Sequence, residues 1–139
     1  MHAPHHNTDP HLAGDALDEK ELAFGPLAIV GGCGHVGLPL ALAFAAQGHS
    51  VDLLDTSRER VALVNSGRMP FHEDDAEPLL AQSIRTGRIK ATTDPAVLED
   101  AAAIIVTIGT PVDEYLDPAV RAFDHALTQL LCQVRPGQW

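Results

Sequence analysis

A glycine-rich segment at residues 32–37 holds the residues whose types and spacing are best suited to binding a ligand. It consists of Gly32, Cys33, Gly34, His35, Val36 and Gly37, and it fits the pattern G-x-G-x-x-G. In that pattern the first glycine allows a tight turn, the second lets a pyrophosphate approach the backbone, and the third lets the next helix lie close to the strand. The N–H groups of His35 and Val36 would open that helix, whose positive end attracts phosphate. The segment therefore predicts a dinucleotide site.

An acidic residue after the next apolar run supplies the partner that such a turn requires. Asp55 follows Gly32 at close to the roughly 20 residues expected for a ribose-binding carboxylate. Its charge would repel the extra phosphate of NADP, which favours NAD as the cofactor. Arg58 and Arg60 oppose this preference, since an arginine near the ribose can hold that phosphate. Arg58 is better explained as part of a solvated helix face. Arg60 can reach over the adenosine edge. The alternative is a tight strand-to-helix turn that binds nothing.

Two cysteines and an acidic cluster offer other chemistry, but simpler roles fit them better. Cys33 would lie near a helix N-terminus, where the pKa of a thiol falls, but no base accompanies it, so we interpret it as a small filler residue. Cys132 falls on an apolar helix face and is expected in the core. The acidic residues between Glu73 and Glu77 precede a predicted helix, which favours N-terminal capping over metal binding. We predict neither a catalytic residue nor a metal site.

The elements that must position these residues alternate between strand and helix. The predicted strands begin near Leu27, Val51, Arg88 and Ala103. The predicted helices cover residues 35–47, 57–65 and 76–86, followed by one or two turns at 94–99 and a last helix from Pro118. This alternation predicts an α/β fold with a parallel sheet. Together with the resemblance of the glycine segment to dinucleotide-binding folds, it implies the strand order 3-2-1-4, which makes the strand from Leu27 central and buried on both faces.

Composition narrows the classes of function. Nine Lys and Arg residues against nineteen Asp and Glu residues give a net charge of −10, which argues against nucleic acid as the main partner and against an anionic membrane surface. Residues 1–25 are polar, include several histidines, and are expected to form a flexible tail before one domain at 26–139. No apolar run is long enough to span a bilayer and no signal peptide is evident, so we expect a cytoplasmic protein.

Further motifs follow the glycine segment in order. G-L-P begins at Gly37, residues 55–61 fit D-x-x-x-x-[KR]-V, and residues 65–73 fit N-x-G-x-x-P-x-x-E. Residues 109–111 read G-T-P. In this order the motifs resemble the UDP-glucose/GDP-mannose dehydrogenase family of NAD-dependent nucleotide-sugar 6-dehydrogenases. The resemblance covers about residues 27–139 and implies a Rossmann-like, doubly wound parallel sheet that stops after about four strands.

The resemblance also implies a reaction and a set of contacts. Two successive hydride transfers to NAD would take the C6 alcohol of a nucleotide sugar to a carboxylate. The glycine segment would hold the pyrophosphate, and Asp55 and Arg60 would hold the adenosine side. Gly109, Thr110 and Pro111 would line the nicotinamide end. Gln138 and Trp139 fall where the family begins its fifth strand.

Family enzymes are much longer than this chain, and the resemblance implies that their catalytic cysteine, general base and sugar-binding groups lie in parts that the chain lacks. We therefore expect the chain alone to be inactive. The implied partner of the full-length enzyme is a nucleotide sugar, and the family allows homo-oligomers. Two alternatives stay open. One is a stand-alone NAD-binding regulatory module without catalysis, and the other is the front end of a hydroxyisobutyrate- or 6-phosphogluconate-type dehydrogenase.

Overall fold

Four parallel strands form the sheet in a computed structural model that describes residues 25–109 and 120–139. The strands are β1 (Leu27–Val30), β2 (Val51–Leu54), β3 (Ile89–Thr92) and β4 (Ala103–Val106). Their order is β3-β2-β1-β4, which confirms the predicted order. Every residue of β1 is buried, as expected for a central strand covered on both faces.

Helical segments connect the successive parallel strands. They are α1 (Gly37–Ala46), α2 (Arg58–Asn65), α3 (Ala76–Arg85) and α4 (Val120–Leu131), with a short 3₁₀ helix at Pro95–Asp100. The predicted helix at 35–47 begins two residues late because Val36 takes the N-cap position. The fourth strand ends at Val106, although the apolar, β-branched run from Ala103 predicts a strand as far as Ile108.

The two faces of the sheet are covered unequally. On one face, α1, α2 and α3 pack over a large buried cluster that includes Ile29, Leu53 and Leu80. On the other, a small buried cluster forms around Leu98 of the 3₁₀ helix, and Leu130 of α4 is only partly buried against it. Alternation of side chains along each strand explains this division, because successive residues face opposite sides of the sheet.

The apolar pattern of α4 predicts a core helix, but α4 has no buried residue. Cys132, which follows this helix, is exposed, so its predicted place in the core was wrong. The periodic pattern correctly gives the helix, but it does not specify how closely the helix packs. No helix in the described ranges is long and apolar enough to cross a membrane.

The end of the chain lies along the outer edge of β4. The N–H of Trp139 donates to the carbonyl of Ala102 at 3.1 Å, and its own carbonyl accepts from the N–H of Ile104 at 2.7 Å. This is the hydrogen-bond pattern of a parallel strand pair, and it agrees with the expected start of a further strand. The amide of Gln138 fixes the segment by donating to the carbonyl of Leu98 at 2.7 Å. The expectations for residues 1–24 and 110–119 lie outside the described residues.

Candidate functional site

The chain leaves β1 through a turn that lies against the end of β2. The N–H groups of Gly31 and Gly32 both donate to the carbonyl of Leu54, at 2.8 and 3.2 Å. Gly31, which precedes the G-x-G-x-x-G motif, carries the positive φ of the turn, 74°. A glycine is required at position 32 because no space is left for a side chain. A Cβ there would lie 2.7 Å from the Cβ of Leu53. Both glycines therefore shape the turn, Gly31 through its positive φ and Gly32 through the absence of a side chain.

The third glycine of the motif lets the helix approach the strand, as predicted. A Cβ at Gly37 would lie 2.5 Å from the carbonyl oxygen of Gly31 and 2.8 Å from the Cα of Gly32. Both neighbours are backbone atoms, so neither can move aside without deforming the turn. Gly37 is therefore required by the close packing of α1 on the end of β1.

The start of α1 leaves backbone donors free. The N–H groups of His35, Val36 and Gly37 have no acceptor among the residues that the structure describes. Val36 is 66% exposed, and His35 is exposed as well. Free N–H groups at a helix N-terminus form an anion site together with the positive end of the helix dipole. Gly34 N–H is not among them, because it donates to the carbonyl of Gly31 at 3.1 Å.

Asp55 is held directly beside this turn. One oxygen of its carboxylate accepts from the N–H of Cys33 at 3.1 Å, and the other accepts from the N–H of Ser57 at 3.0 Å. A carboxylate has about four acceptor positions, so it can still accept hydrogen bonds from a diol. The N–H of Cys33 already donates to Asp55 and is not free for a ligand. Cys33 would therefore affect a ligand only by positioning the Asp55 carboxylate. Sequence reasoning missed this link, because no local pattern reports it.

The Cys33 thiol is buried and chemically inert. Burial first, and then the negative charge of Asp55, raise the pKa of Cys33 to about 12, against the opposing charge of Arg60. The thiol therefore stays protonated at neutral pH and is a poor nucleophile. Its place among buried residues agrees with the interpretation of Cys33 as a small filler. Arg60 itself is exposed in the first turn of α2.

The end of α2 and the chain that follows it contact β3 and the glycine turn, and these contacts give a role to the asparagine of the N-x-G motif. The Asn65 side-chain amide donates to the carbonyl of Ala91 at 2.8 Å and accepts from the N–H of the same residue at 2.9 Å. Further along, the ring of Phe71 stacks on His35 of the glycine turn at 4.1 Å. Sequence reasoning assigned neither contact. Asn65 thus binds the backbone of the edge strand β3, and Phe71 contacts the glycine turn.

The acidic cluster before α3 differs from its predicted role. Asp75 occupies the N-cap position in a left-handed conformation, with φ 58°, and its side chain makes no capping hydrogen bond. The prediction of side-chain capping was therefore wrong for Asp75. Glu77 lies in the first turn of α3, where the helix dipole favours an acid, and it accepts from the N–H of Met69 at 3.3 Å. No group of metal-ligating side chains is present in the described ranges.

A cavity of about 520 Å³ lies beyond the carboxyl ends of the strands, between the sheet and α4. Its walls are largely apolar and include Val30, Leu54, Ile108 and Leu130, and the Asp55 carboxylate lies in its lining. This is where a doubly wound sheet binds its ligands. The combination of apolar walls and one carboxylate fits a nucleoside, since the base is flat and apolar on its faces and the ribose presents hydroxyl groups.

The last segment of the predicted site is only partly described. Gly109 is exposed, and a Cβ there would meet nothing within 4 Å. Thr110 and Pro111 lie outside the described residues. The structure thus brings the glycine turn, Asp55 and the cavity together.

Residues 27–138 match the NAD-binding domain of the UDP-glucose/GDP-mannose dehydrogenase family. The chain belongs to this family. It is 37% identical over 84 residues to the UDP-glucose 6-dehydrogenase of Pseudomonas aeruginosa, an alignment that covers 60% of this chain and 18% of that protein. It is 34% identical over 104 residues to the GDP-mannose 6-dehydrogenase of Pseudomonas putida, covering 69% of this chain and 24% of that enzyme. The chain thus spans a quarter or less of these relatives.

Solved structures of this family share the fold. The ternary complex of GDP-mannose dehydrogenase from Pseudomonas aeruginosa superposes with a TM-score of 0.72 at 30% identity, covering 79% of this chain and 25% of that one. The UDP-D-ManNAc dehydrogenase of Pyrococcus horikoshii gives a TM-score of 0.74 at 25% identity, covering 82% and 27%. The cofactor of this domain family is NAD. The family match favours the nucleotide-sugar dehydrogenases over the hydroxyisobutyrate- and 6-phosphogluconate-type enzymes.

Proposed function

We propose that this chain forms the first half of the NAD site of a nucleotide-sugar 6-dehydrogenase. The enzyme would oxidise the C6 alcohol of a nucleotide sugar to a carboxylate, and NAD supplies the hydride acceptor. The observation that carries the proposal is the placement of free N–H groups at the start of α1 beside the carboxylate of Asp55. Residues 26–139 would form this incomplete domain, and residues 1–25 a tail.

The glycine turn would bind the pyrophosphate. The N–H groups of His35, Val36 and Gly37 would donate to its oxygens, helped by the positive end of α1. The absence of a side chain at Gly34 supports this. A Cβ there would meet only the carbonyl oxygen of Gly31, at 3.2 Å. The ligand side of Gly34 is otherwise open to a phosphate. His35 would contribute chiefly through its backbone.

The adenosine would bind in the cavity between the sheet and α4. Asp55 would accept hydrogen bonds from both ribose hydroxyls, since each of its oxygens has acceptor capacity left after binding Cys33 and Ser57. Its charge would oppose the extra phosphate of NADP. Arg60, exposed on the first turn of α2, would lie over the outer side of the adenosine. These positions support NAD as the preferred dinucleotide.

The nicotinamide would lie towards Gly109, Thr110 and Pro111, after the end of β4. Catalysis by the chain itself is not part of the proposal. Cys33 is buried with a pKa of about 12, and Cys132 is exposed at the end of α4. Neither matches the position of the catalytic cysteine that the family resemblance implies. By the family resemblance, the catalytic groups would lie in the part of the relatives that the match does not cover.

Titration of the purified chain with NAD tests this proposal. We expect weak binding and no NADH formation when UDP-glucose and NAD are added together, because the chain spans a quarter or less of the relatives that it matches. Calorimetry measures the first and NADH absorbance the second. Absence of any NAD binding at saturating concentrations would refute the proposal. Tight NAD binding by the chain alone would instead favour a stand-alone regulatory module, and NADH formation would contradict the incomplete site.

A further inference from the structure

The hydroxyl of Thr107 joins the end of β4 to the glycine turn. Thr107 directly follows β4, and its backbone N–H donates to the carbonyl of Val30 at 2.8 Å. Its side-chain hydroxyl donates to that same carbonyl at 2.8 Å and lies 3.3 Å from the carbonyl oxygen of Gly31. No motif found in the sequence includes this residue.

Thr107 also lies against two of the glycines that shape the turn. A Cβ at Gly37 would come within 2.9 Å of the Thr107 hydroxyl, and a Cβ at Gly31 would come within 3.1 Å of the Thr107 carbonyl oxygen. The side chain therefore fills the space between the last residue of β1 and the first residue of α1. Its hydroxyl is the polar group that meets the turn from the β4 side.

The carbonyl oxygen of Gly31 is the group in the turn that would repel an anion if it faced outward. It accepts from the N–H of Gly34 at 3.1 Å, and it lies between Gly37 and Thr107, inside the turn. Gly31 has φ 74° and no side chain of its own to restrict it. A contact from outside the turn is therefore an effective way to fix its orientation.

We propose that Thr107 is a positioning residue of the dinucleotide site. Its hydroxyl keeps the carbonyl oxygens of Val30 and Gly31 inside the turn, so that the N–H groups of residues 35–37 face the pyrophosphate. The proposal rests on the proposed function and extends it, since Thr107 itself touches no phosphate. As a consequence, the side chain that follows β4 controls the affinity for NAD of the turn that follows β1.

Two substitutions separate the hydroxyl from the shape of the side chain. Thr107→Val keeps the branched shape but removes the hydroxyl, and we expect it to weaken NAD binding about three- to tenfold, the effect of one lost hydrogen bond. Thr107→Ser restores the hydroxyl and should bind within about twofold of the wild-type chain. Calorimetric titration with NAD measures both. Hydrogen exchange at the Gly34 amide should become faster in Thr107→Val while the amides of α3 stay protected.

Thr86→Val is the matched control, because it removes a threonine hydroxyl that donates to the carbonyl of Gln82 at 2.9 Å at the end of α3. It should leave NAD affinity and Gly34 exchange unchanged. The proposal is overturned if Thr107→Val binds NAD as the wild type does, if Thr107→Ser is as weak as Thr107→Val, or if exchange accelerates at all amides alike. A wild-type chain that does not bind NAD rejects the proposed function, and the role of Thr107 with it.

Discussion

The two faces of the sheet show how this domain separates rigidity from binding space. The face under α1, α2 and α3 is packed around Leu53 and Leu80, both fully buried, and it anchors the helix that begins at the glycine turn. The face under α4 has a small buried cluster and a cavity of about 520 Å³. Close packing fixes backbone donors to within fractions of an ångström, whereas an open face leaves room for a base. In the proposed function, the N–H groups that bind phosphate would thus belong to the packed side, and the space for the nucleoside would lie on the open side.

Truncation of one leucine on each face tests this contrast and should give the largest effect. Leu80→Ala creates a cavity in the fully packed cluster and should lower the free energy of unfolding by about 2–5 kcal/mol. Leu130→Ala, on the partly buried side of α4, should cost about 1 kcal/mol or less. Urea denaturation of both variants measures the difference. Equal losses would show that the two faces are packed alike.

Substitution of Gly37 tests whether the packed face defines the turn. Gly37→Ala places a Cβ 2.5 Å from the carbonyl oxygen of Gly31, so we expect a loss of about 1–3 kcal/mol in stability and no measurable NAD binding. Gly109→Ala is the control for stability, because its Cβ meets nothing within 4 Å, and it should change stability by less than about 0.5 kcal/mol. Thermal melts measure both variants. Equal melting temperatures would show that close packing does not require a glycine at position 37.

Asp55 follows β2, beside the glycine turn and in the lining of the cavity, and its removal should separate binding from folding. Asp55→Ala should weaken NAD binding by about 1–3 kcal/mol, since the ribose hydroxyls lose their acceptor. The effect on NADP should be smaller or even favourable, because a charge facing the extra phosphate is removed. Some stability is also lost, as the N–H groups of Cys33 and Ser57 lose their acceptor.

Asp94→Ala is the matched control for Asp55→Ala. Asp94 also accepts from a backbone N–H, that of Ala96 at 3.0 Å, at the start of the 3₁₀ helix. The Asp94→Ala variant should lose about 1 kcal/mol of stability because a helix cap is lost, but it should keep its affinity for both dinucleotides. Calorimetric titration of both cofactors distinguishes the cases. If Asp55→Ala weakened NAD and NADP equally, Asp55 would act through folding and not as a ribose ligand.

The smallest expected effect concerns Asp52, whose side chain is half-buried on the α4 side of β2. Burial raises the pKa of Asp52, and the negative charge of Asp100 adds to this, while Lys90 opposes it. The native state therefore binds this proton more tightly than the unfolded chain does. The stabilising contribution is complete below the unfolded pKa and is lost as pH rises through the raised folded pKa.

Asp52→Asn should therefore stabilise the chain slightly at neutral pH, on the scale of about 0.5 kcal/mol. The gain should disappear in acid, below the ordinary pKa of an aspartate, where the wild-type carboxyl is itself neutral. Thermal melts at several pH values measure this. A gain that persists unchanged in acid would show that burial of charge is not its cause.

The elements of this domain could be predicted from the sequence because their signals are local. The apolar run at Leu27–Val30, the strand-helix alternation and the stop at Gly48 all lie within a few neighbours of the residues they shape. The site was predictable to the same extent, since the glycine spacing and Asp55 form a chain-order pattern. Errors arose where a neighbour in space decides. Cys132 has an apolar pattern around it, but that pattern does not say how closely α4 packs.

The sequence by itself determined the fold class and the family, and it proposed the residues of a dinucleotide site, because periodicity and motif spacing are properties of chain order. Only the tertiary structure decided which atoms hold the turn. Asp55 reaches the N–H of Cys33 across 22 positions, and Thr107 reaches the carbonyl of Val30 across 77. It also decided that Gly31, and not Gly32, takes the positive φ. These contacts depend on how separate strands end side by side, and no local pattern of residues encodes that arrangement.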